Sequence, residues 1–171
     1  HGGPEYIQAA ADGGFLDALM VQYTPFYGRG GAFDRALTAC HEKGIGLIAM
    51  KTLRHAGNVP KRLPEFEKLG LTTHQALLQA VWSDPRISAI CNSVRNFDQM
   101  KSSIASAHGY KAPLDVSLVT RLKTAVLASR RTMCPGCPSC DANATSTAFA
   151  FRDVARYVTY FEQDNYSQSR D

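Results

Sequence analysis

Ile45-Gly46-Leu47-Ile48-Ala49-Met50 is the stretch of this chain that predicts the fold most directly. It is a short, continuous apolar run, which is typical of a strand buried on both faces of a parallel sheet. Helical patterns lie on both sides of it, and strand and helix patterns alternate further out. This alternation predicts an α/β protein whose parallel strands are joined by right-handed crossovers.

Two more strands are predicted outward from this run, at Leu16–Tyr23 and Ile87–Cys91. A long loop is predicted over Arg54–Gly70. The predicted helices cover Pro4–Ala11, Ala32–Lys43, residues 72–82 with Thr72 or Thr73 as N-cap, a segment beginning near Phe97, Leu114–Arg131 and Phe149–Phe161. The last three helices are amphipathic, with apolar faces that include Phe97, Met100, Ile104 and Ala107, then Leu118, Val119, Leu122, Ala125 and Val126, and finally Val154, Tyr157, Val158 and Phe161.

The composition excludes several protein classes. The chain has 171 residues, 44% of them hydrophobic, and a net charge of +4, so wholesale disorder is excluded. A charge this small and dispersed does not predict nucleic-acid binding. No apolar run approaches the roughly 18 residues that cross a bilayer, so we expect no membrane partner.

Lys51 directly follows the first strand described above. Ligand chemistry gathers at the carboxyl ends of parallel strands, both in barrels and in doubly wound sheets. Three interpretations stay open: contact with a phosphate, a Schiff-base lysine with a lowered pKa, or a side chain that only extends into solvent.

The segment Asn92–Gln99 joins the third strand to its helix. Small polar residues and Arg95 at a helix N-terminus form an anion site, because backbone N–H groups and the helix dipole favour negative charge there. Asn96 is equally suited to be only the N-cap of the helix.

The chain has five cysteines, and three of them share a C-x2-C-x2-C spacing: Cys134, Cys137 and Cys140. This spacing lets three thiolates converge on one centre, as in iron–sulfur sites. The fourth ligand is missing, because Ala144 stands where a bacterial-type run has its last cysteine. Three interpretations stay open: a metal site that recruits Cys40, Cys91 or a histidine, a decayed motif without a cluster, or a dithiol that oxidises.

Other residues predict no chemistry. We expect Trp82 and Cys91 to pack in the core, and Asp84 and Arg86, which flank Pro85, to form a solvated pair. The cysteine clustering differs from a secreted disulfide scaffold, and no charged-then-apolar leader is visible. These features predict a cytoplasmic protein.

Several stretches, in order along the chain, resemble the aldo/keto reductase family. Asp17–Thr24 and Ile45–Leu53 resemble the sixth and seventh strands of its barrel. Ala80–Ile90 resembles the seventh helix running into the eighth strand, and Asn92–Ser103 resembles a cofactor-binding segment. The cysteine run followed by Arg156–Tyr160 resembles the C-terminal extension of a branch with an iron–sulfur-type motif.

The resemblance implies the C-terminal portion of a (β/α)8 TIM barrel over residues 1–110, comprising strands six to eight. Residues 111–171 would form a helical, cysteine-containing extension. A closed barrel typically takes about 250 residues, and three strands cannot close one. We therefore expect the N-terminal half of the barrel as a partner.

The resemblance also implies NADP(H) as cofactor, with an iron–sulfur cluster as a further group whose fourth ligand is unidentified. The implied cofactor-binding residues are Lys51, Leu53, Ser93, Arg95, Gln99 and Ser103. The first two would lie between nicotinamide and pyrophosphate, the next two near the adenosine phosphate, and Gln99 at the adenine. Ser103 stands where the family usually has Asn.

The family reduces small-molecule carbonyls by hydride transfer, using an Asp, Tyr, Lys and His in the first half of the barrel. The resemblance therefore assigns no catalytic residue to this chain, and we expect the chain alone to be inactive. Two alternatives stay open: a Schiff-base, class I aldolase-like barrel that uses Lys51, and a non-enzymatic metal-binding or interaction module at Cys134, Cys137 and Cys140.

Overall fold

A computed structural model describes residues 3–53 and 59–129, together with Val154. The cysteine run Cys134–Cys140 and all of the predicted helix Phe149–Phe161 except Val154 lie outside the described residues. Within them the protein is a mixed α/β structure with a three-stranded parallel sheet and six helices.

The strands are β1 (Ala18–Gln22), β2 (Gly46–Met50) and β3 (Ile87–Cys91). The helices are α1 (Pro4–Gly13), α2 (Ala32–Glu42), α3 (Pro64–Glu67), α4 (Thr73–Trp82), α5 (Phe97–His108) and α6 (Val116–Ala128). No helix in the described part of the chain is long and apolar enough to span a membrane.

The sheet has the order β1-β2-β3, and both neighbouring pairs are parallel. Because both crossovers step in the same direction across the sheet, right-handed connections place α2 and α4 on the same face. Side chains from both helices indeed pack with Leu47 and Ala49 of β2 in one cluster. The sheet therefore has one face covered by helices.

Local signals explain where several elements end. Gly44 lies between α2 and β2 and has a φ of +74°. Residues with a side chain rarely adopt this left-handed conformation, so glycine is favoured here. Thr72 begins α4: its hydroxyl accepts a hydrogen bond from the N–H of Gln75, and the Gln75 side chain accepts one from the N–H of Thr72. This capping box satisfies two otherwise unpaired donors.

The core consists of two clusters. The first lies between the sheet and the helices α1, α2 and α4, and its buried residues are Ile7, Ala11, Val21, Tyr23, Ala36, Leu37, Cys40, Ile45, Leu47, Ala49, Val81 and Ile87. The second joins α3, α4 and α6, and its buried residues are Val59, Phe66, Ala76, Leu77, Ala80, Leu122 and Val126. The amphipathic face predicted for α6 is thus confirmed, and α6 packs on the same helix that covers the sheet.

Among the described residues, no helix packs on the opposite face of the sheet. Met20 of β1 is 48% exposed, Ala89 of β3 is exposed, and Ile48 and Met50 of β2 are half-buried. The alternation of buried and less buried positions along β2 follows from the period of two in a strand. The open face is apolar although it is only partly covered.

The sequence-based expectations differ from the structure at several places. The predicted loop Arg54–Gly70 contains the short helix α3, which begins at Pro64 and packs Phe66 into the core. Cys91 is exposed, not packed in the core. The apolar face of α5 points outward, and Ser106 is the buried residue of that helix.

Candidate functional site

The carboxyl ends of the three strands lie side by side. The register pairs Gln22 with Met50, and Met50 with Cys91. Lys51 and Asn92, the residues that follow the last two positions, are thereby brought to one edge of the sheet. The segments in which Lys51 and Arg95 were predicted to bind a ligand therefore leave the sheet next to each other.

Lys51 leaves β2 in an unusual backbone conformation. Its φ of +56° is the one positive φ of a non-glycine residue in the described chain. This left-handed conformation is uncommon for a residue with a side chain and concentrates at functional sites. The side chain of Lys51 is exposed, whereas a Schiff-base lysine typically lies in a hydrophobic pocket.

Thr52 and Leu53 turn away from solvent after Lys51. Leu53 is half-buried and packs against the second core cluster. Thr52 is 6% exposed, and its Oγ1 atom is buried without a hydrogen-bond partner. Buried polar atoms without a partner are few in native proteins, so the Thr52 hydroxyl is an unusual feature of the segment that follows β2.

The start of α5 holds its own backbone in place. Asn96 is the N-cap and accepts a hydrogen bond from the N–H of Gln99 at 2.9 Å. The Gln99 Oε1 atom in turn accepts a bond from the N–H of Arg95 at 2.8 Å. The capping role predicted for Asn96 is confirmed, and Gln99 keeps its two side-chain N–H groups for another acceptor.

Ser93 and Arg95 are exposed at the turn that leads into α5. Arg95 directly precedes Asn96, the N-cap of α5. The helix dipole adds positive potential at this end of the helix. An anion that reached this turn would meet a planar cation suited to phosphate.

Ser103 lies deeper than the other predicted cofactor residues. It is half-buried, and its Oγ accepts a hydrogen bond from Asn92 Nδ2 at 3.2 Å. The Nε2 atom of His74, on α4, lies 3.5 Å from the same oxygen. Burial lowers the pKa of His74 because it disfavours the charged imidazole. Ser103 therefore links α5 to α4 and to the end of β3.

A buried polar network was missed by the sequence analysis. Asp84 and Arg86, predicted to be a solvated pair, are 2% and 8% exposed. The Arg86 Nη2 atom lies 2.7 Å from Asp84 Oδ2 and 2.8 Å from Asp34 Oδ1. Tyr23 donates its hydroxyl to Asp84 Oδ2 at 2.8 Å. The solvated interpretation is wrong, because Tyr23, which directly follows β1, and Asp34 of α2 supply hydrogen-bond partners inside the fold.

Burial and hydrogen bonds within the network shift the pKa values of Asp84 and Tyr23. Burial alone raises the pKa of Asp84, but the hydrogen bonds from Arg86 and Tyr23 outweigh it and lower the pKa to about 2. Burial, together with the negative charge of Asp84, raises the pKa of Tyr23 above its ordinary value. The Asp84 carboxylate therefore stays ionised and the Tyr23 phenol stays protonated at neutral pH. These protonation states maintain the hydrogen bond between the two side chains. A signal for it was available in the charged pair directly before an apolar strand.

No group of three metal-ligating side chains occurs within residues 3–53 and 59–129. The predicted ligands Cys134, Cys137 and Cys140 lie outside these ranges, and their metal binding stays a prediction. Of the two cysteines named as further ligands, Cys40 is buried and donates to the carbonyl of Ile7, whereas Cys91 is exposed.

The set of exposed polar side chains that follows β2 and β3 has the chemistry that phosphate binding requires. It combines two exposed cationic side chains, Lys51 and Arg95, with a hydroxyl at Ser93 and the amide of Gln99. Cations and oriented N–H groups are what phosphates require.

No model of a known protein family matches the chain, and no curated protein is significantly similar to it.

Proposed function

We propose that this chain is the C-terminal part of a (β/α)8 barrel of an NADP(H)-dependent, aldo/keto reductase-like oxidoreductase. Residues 1–110 would supply three of its strands, and residues 111–171 its cysteine-containing extension. The rest of the barrel would supply the catalytic Asp, Tyr, Lys and His. The bound cofactor would provide the hydride for a small-molecule carbonyl substrate.

The sheet topology is the observation that carries this proposal. Within residues 3–53 and 59–129, strands that follow one another in sequence are also neighbours in the sheet, and helices cover one of its two faces. A doubly wound sheet reverses its strand order and has helices on both faces. A barrel keeps the sequential order and fills its inner face with side chains from all strands. The open, apolar face with Met20 and Ile48 is what the inside of such a barrel would need.

The residues of the site would divide the work of binding. Lys51 and Arg95 would neutralise phosphate groups of the cofactor, and Ser93 would donate a hydrogen bond beside Arg95. Gln99, whose carbonyl oxygen is engaged, would donate from its amide. Ser103 would hold the α5 segment against α4 more than it would contact the cofactor, because His74 and Asn92 already surround its hydroxyl.

Titration of the 171-residue chain with NADPH, followed by calorimetry, tests the proposal. Loss of a charged hydrogen bond costs about 1.5–3 kcal/mol, so Arg95→Ala should weaken NADPH binding roughly 10- to 100-fold. Lys101→Ala is the matched control, because Lys101 is an exposed cation on α5 itself outside the proposed site. A native chain that binds no NADPH, or a control variant that loses as much affinity as Arg95→Ala, would overturn the proposal.

A further inference from the structure

Three polar side chains connect α4 to the turn that leads into α5. Asn92 Nδ2 donates to Ser103 Oγ at 3.2 Å, and His74 Nε2 lies 3.5 Å from the same oxygen. All three side chains are half-buried. We call them the His74 triplet. Because Asn92 directly precedes Ser93, the triplet joins a titratable group on α4 to the turn that carries Ser93 and Arg95.

The chemistry of the donors fixes the direction of the two contacts. The amide nitrogen of Asn92 can only donate, so the oxygen of Ser103 accepts from it. The Ser103 hydroxyl keeps its own proton, which His74 Nε2 can accept only when that nitrogen is unprotonated. The geometry therefore requires a neutral His74 that carries its proton on Nδ1.

A protonated His74 would have little to stabilise it. Burial lowers the pKa of His74, and no carboxylate lies one helical turn away on either helix: the corresponding residues are Leu77 and Leu78 on α4, and Gln99, Met100, Ser106 and Ala107 on α5. Lys61, whose carbonyl accepts a hydrogen bond from the N–H of Thr73, is an exposed cation of the segment before α4. Its charge disfavours a second positive charge on this side of α4.

Helix α5 stays attached to α4 without the contact to His74. Gln75 and Gln79 donate side-chain hydrogen bonds to the carbonyls of Ser102 and Ser106, at 3.3 and 3.2 Å. The Ser106 hydroxyl donates to the carbonyl of Gln75 at 3.0 Å. Loss of the longer His74–Ser103 contact therefore acts on the His74 triplet and leaves the packing of the two helices in place.

We propose that His74 is a positioning residue that makes the turn carrying Ser93 and Arg95 sensitive to pH. Neutral His74 accepts from Ser103, whose oxygen is then free to accept from Asn92. Once protonated, the imidazole becomes a donor at Nε2 and competes with Asn92 for the same oxygen. Asn92 is thereby released, and the turn that follows it loses its support. The effect on NADPH binding rests on the proposed function, whereas the coupling between His74 and the turn does not.

NMR titration of the ¹⁵N-labelled 171-residue chain without cofactor, from pH 7.5 to 5, tests the coupling. We expect an unprotonated Nε2 on His74 at pH 7.5, and amide signals of Ser93 and Arg95 that move as the ring titrates below its ordinary pKa of 6.5. His74→Gln and Ser103→Ala should each abolish that movement. His108→Gln, at an exposed histidine of α5, should retain it.

Two NMR results would overturn the proposal. One is a neutral His74 with its proton on Nε2, because that nitrogen could not accept from Ser103. The other is turn amides that show the same pH dependence in His74→Gln as in the native chain.

Calorimetry with NADPH at pH 7.5 and 5 then measures the effect on binding. The loss of one hydrogen bond should make the native chain lose roughly 3- to 10-fold more affinity than His74→Gln over this range. The phosphate monoester of NADPH also titrates at about pH 6, so the comparison with His74→Gln isolates the contribution of His74.

The outcomes separate this role from the proposed function. Equal losses of affinity in the native chain and in His74→Gln would overturn the role of His74 and leave the proposed function standing. A native chain that binds no NADPH at either pH would overturn the proposed function, whereas the NMR titration still decides whether His74 controls the turn.

Discussion

At the scale of single residues, Asp84 shows how a carboxylate is kept ionised inside this protein. It accepts hydrogen bonds from Arg86 and from Tyr23, and it is 2% exposed. Arg86 is satisfied in turn by Asp34 and by the hydroxyl of Thr38. Because every charge has a partner, the cost of desolvation is offset. The network joins β1, α2 and the turn before β3.

Asp84 should make the stability of the protein depend on acid pH. Its folded pKa of about 2 lies below the ordinary value of 3.8, so its contribution is present above the ordinary pKa and is lost as pH falls toward 2. The shift corresponds to about 2 kcal/mol. In urea unfolding between pH 6 and 2, Asp84→Asn should be less stable at pH 6 and show a weaker decline. The variant Asp17→Asn, at an exposed carboxylate, should follow the native curve; identical curves for Asp84→Asn and the native chain would contradict the prediction.

At the scale of elements, helix starts are defined by short-range side-chain chemistry. Thr72 and Gln75 form the capping box of α4, and Asn96 caps α5. These signals involve residues no more than four apart, so they are legible in the sequence. Which face of a helix is buried is a different matter, because α5 turns its apolar face outward while α6 turns its own inward.

Removal of the α4 cap should destabilise the protein. Thr72→Ala leaves the N–H of Gln75 without its acceptor and should cost about 1 kcal/mol in the free energy of unfolding. Thr120→Ala is the control, because the exposed Thr120 hydroxyl donates only to the carbonyl of Val116 within α6. Equal losses in chemical denaturation would mean that the capping box does not stabilise α4.

At the scale of the whole molecule, α4 connects the two core clusters. Val81 belongs to the cluster beneath the sheet, whereas Ala76, Leu77 and Ala80 pack with α3 and α6. Because a single helix contributes to both clusters, we expect α6 to unfold together with the sheet. Buried Leu122, from α6, is then as much a core residue as those beneath the strands.

Leu122→Ala should therefore destabilise the entire described structure. A buried leucine truncated to alanine typically costs about 2–5 kcal/mol, and sheet and helix signals should be lost in one transition. Leu127→Ala, at a side chain that is 49% exposed in α6, should change stability by no more than about 0.5 kcal/mol. A separate early transition of α6 in circular dichroism or hydrogen exchange would contradict a single cooperative unit.

The sequence by itself determined the order of strands and helices, because the apolar periods and the turn residues act over a few neighbours. Ile87–Cys91 is a strand over the range predicted, and Thr72 and Asn96 are caps as expected. Strand order also brings Lys51 and Arg95 toward one edge, so the location of the candidate site was predictable. The short helix α3 was missed because its four residues give too little periodicity.

Only the tertiary structure decided which side chains are buried. The sequence around Asp84 and Arg86 is typical of an exposed turn. In the structure, Tyr23 and Asp34, which are distant in sequence, supply hydrogen bonds that make burial of this pair favourable. The apolar pattern of α5 predicts that this face is buried. In the structure, the polar contacts between α4 and the other side of α5 leave the apolar face pointing outward. Burial depends on residues that are distant in sequence. A local pattern of residues does not specify which distant residues will pack against it.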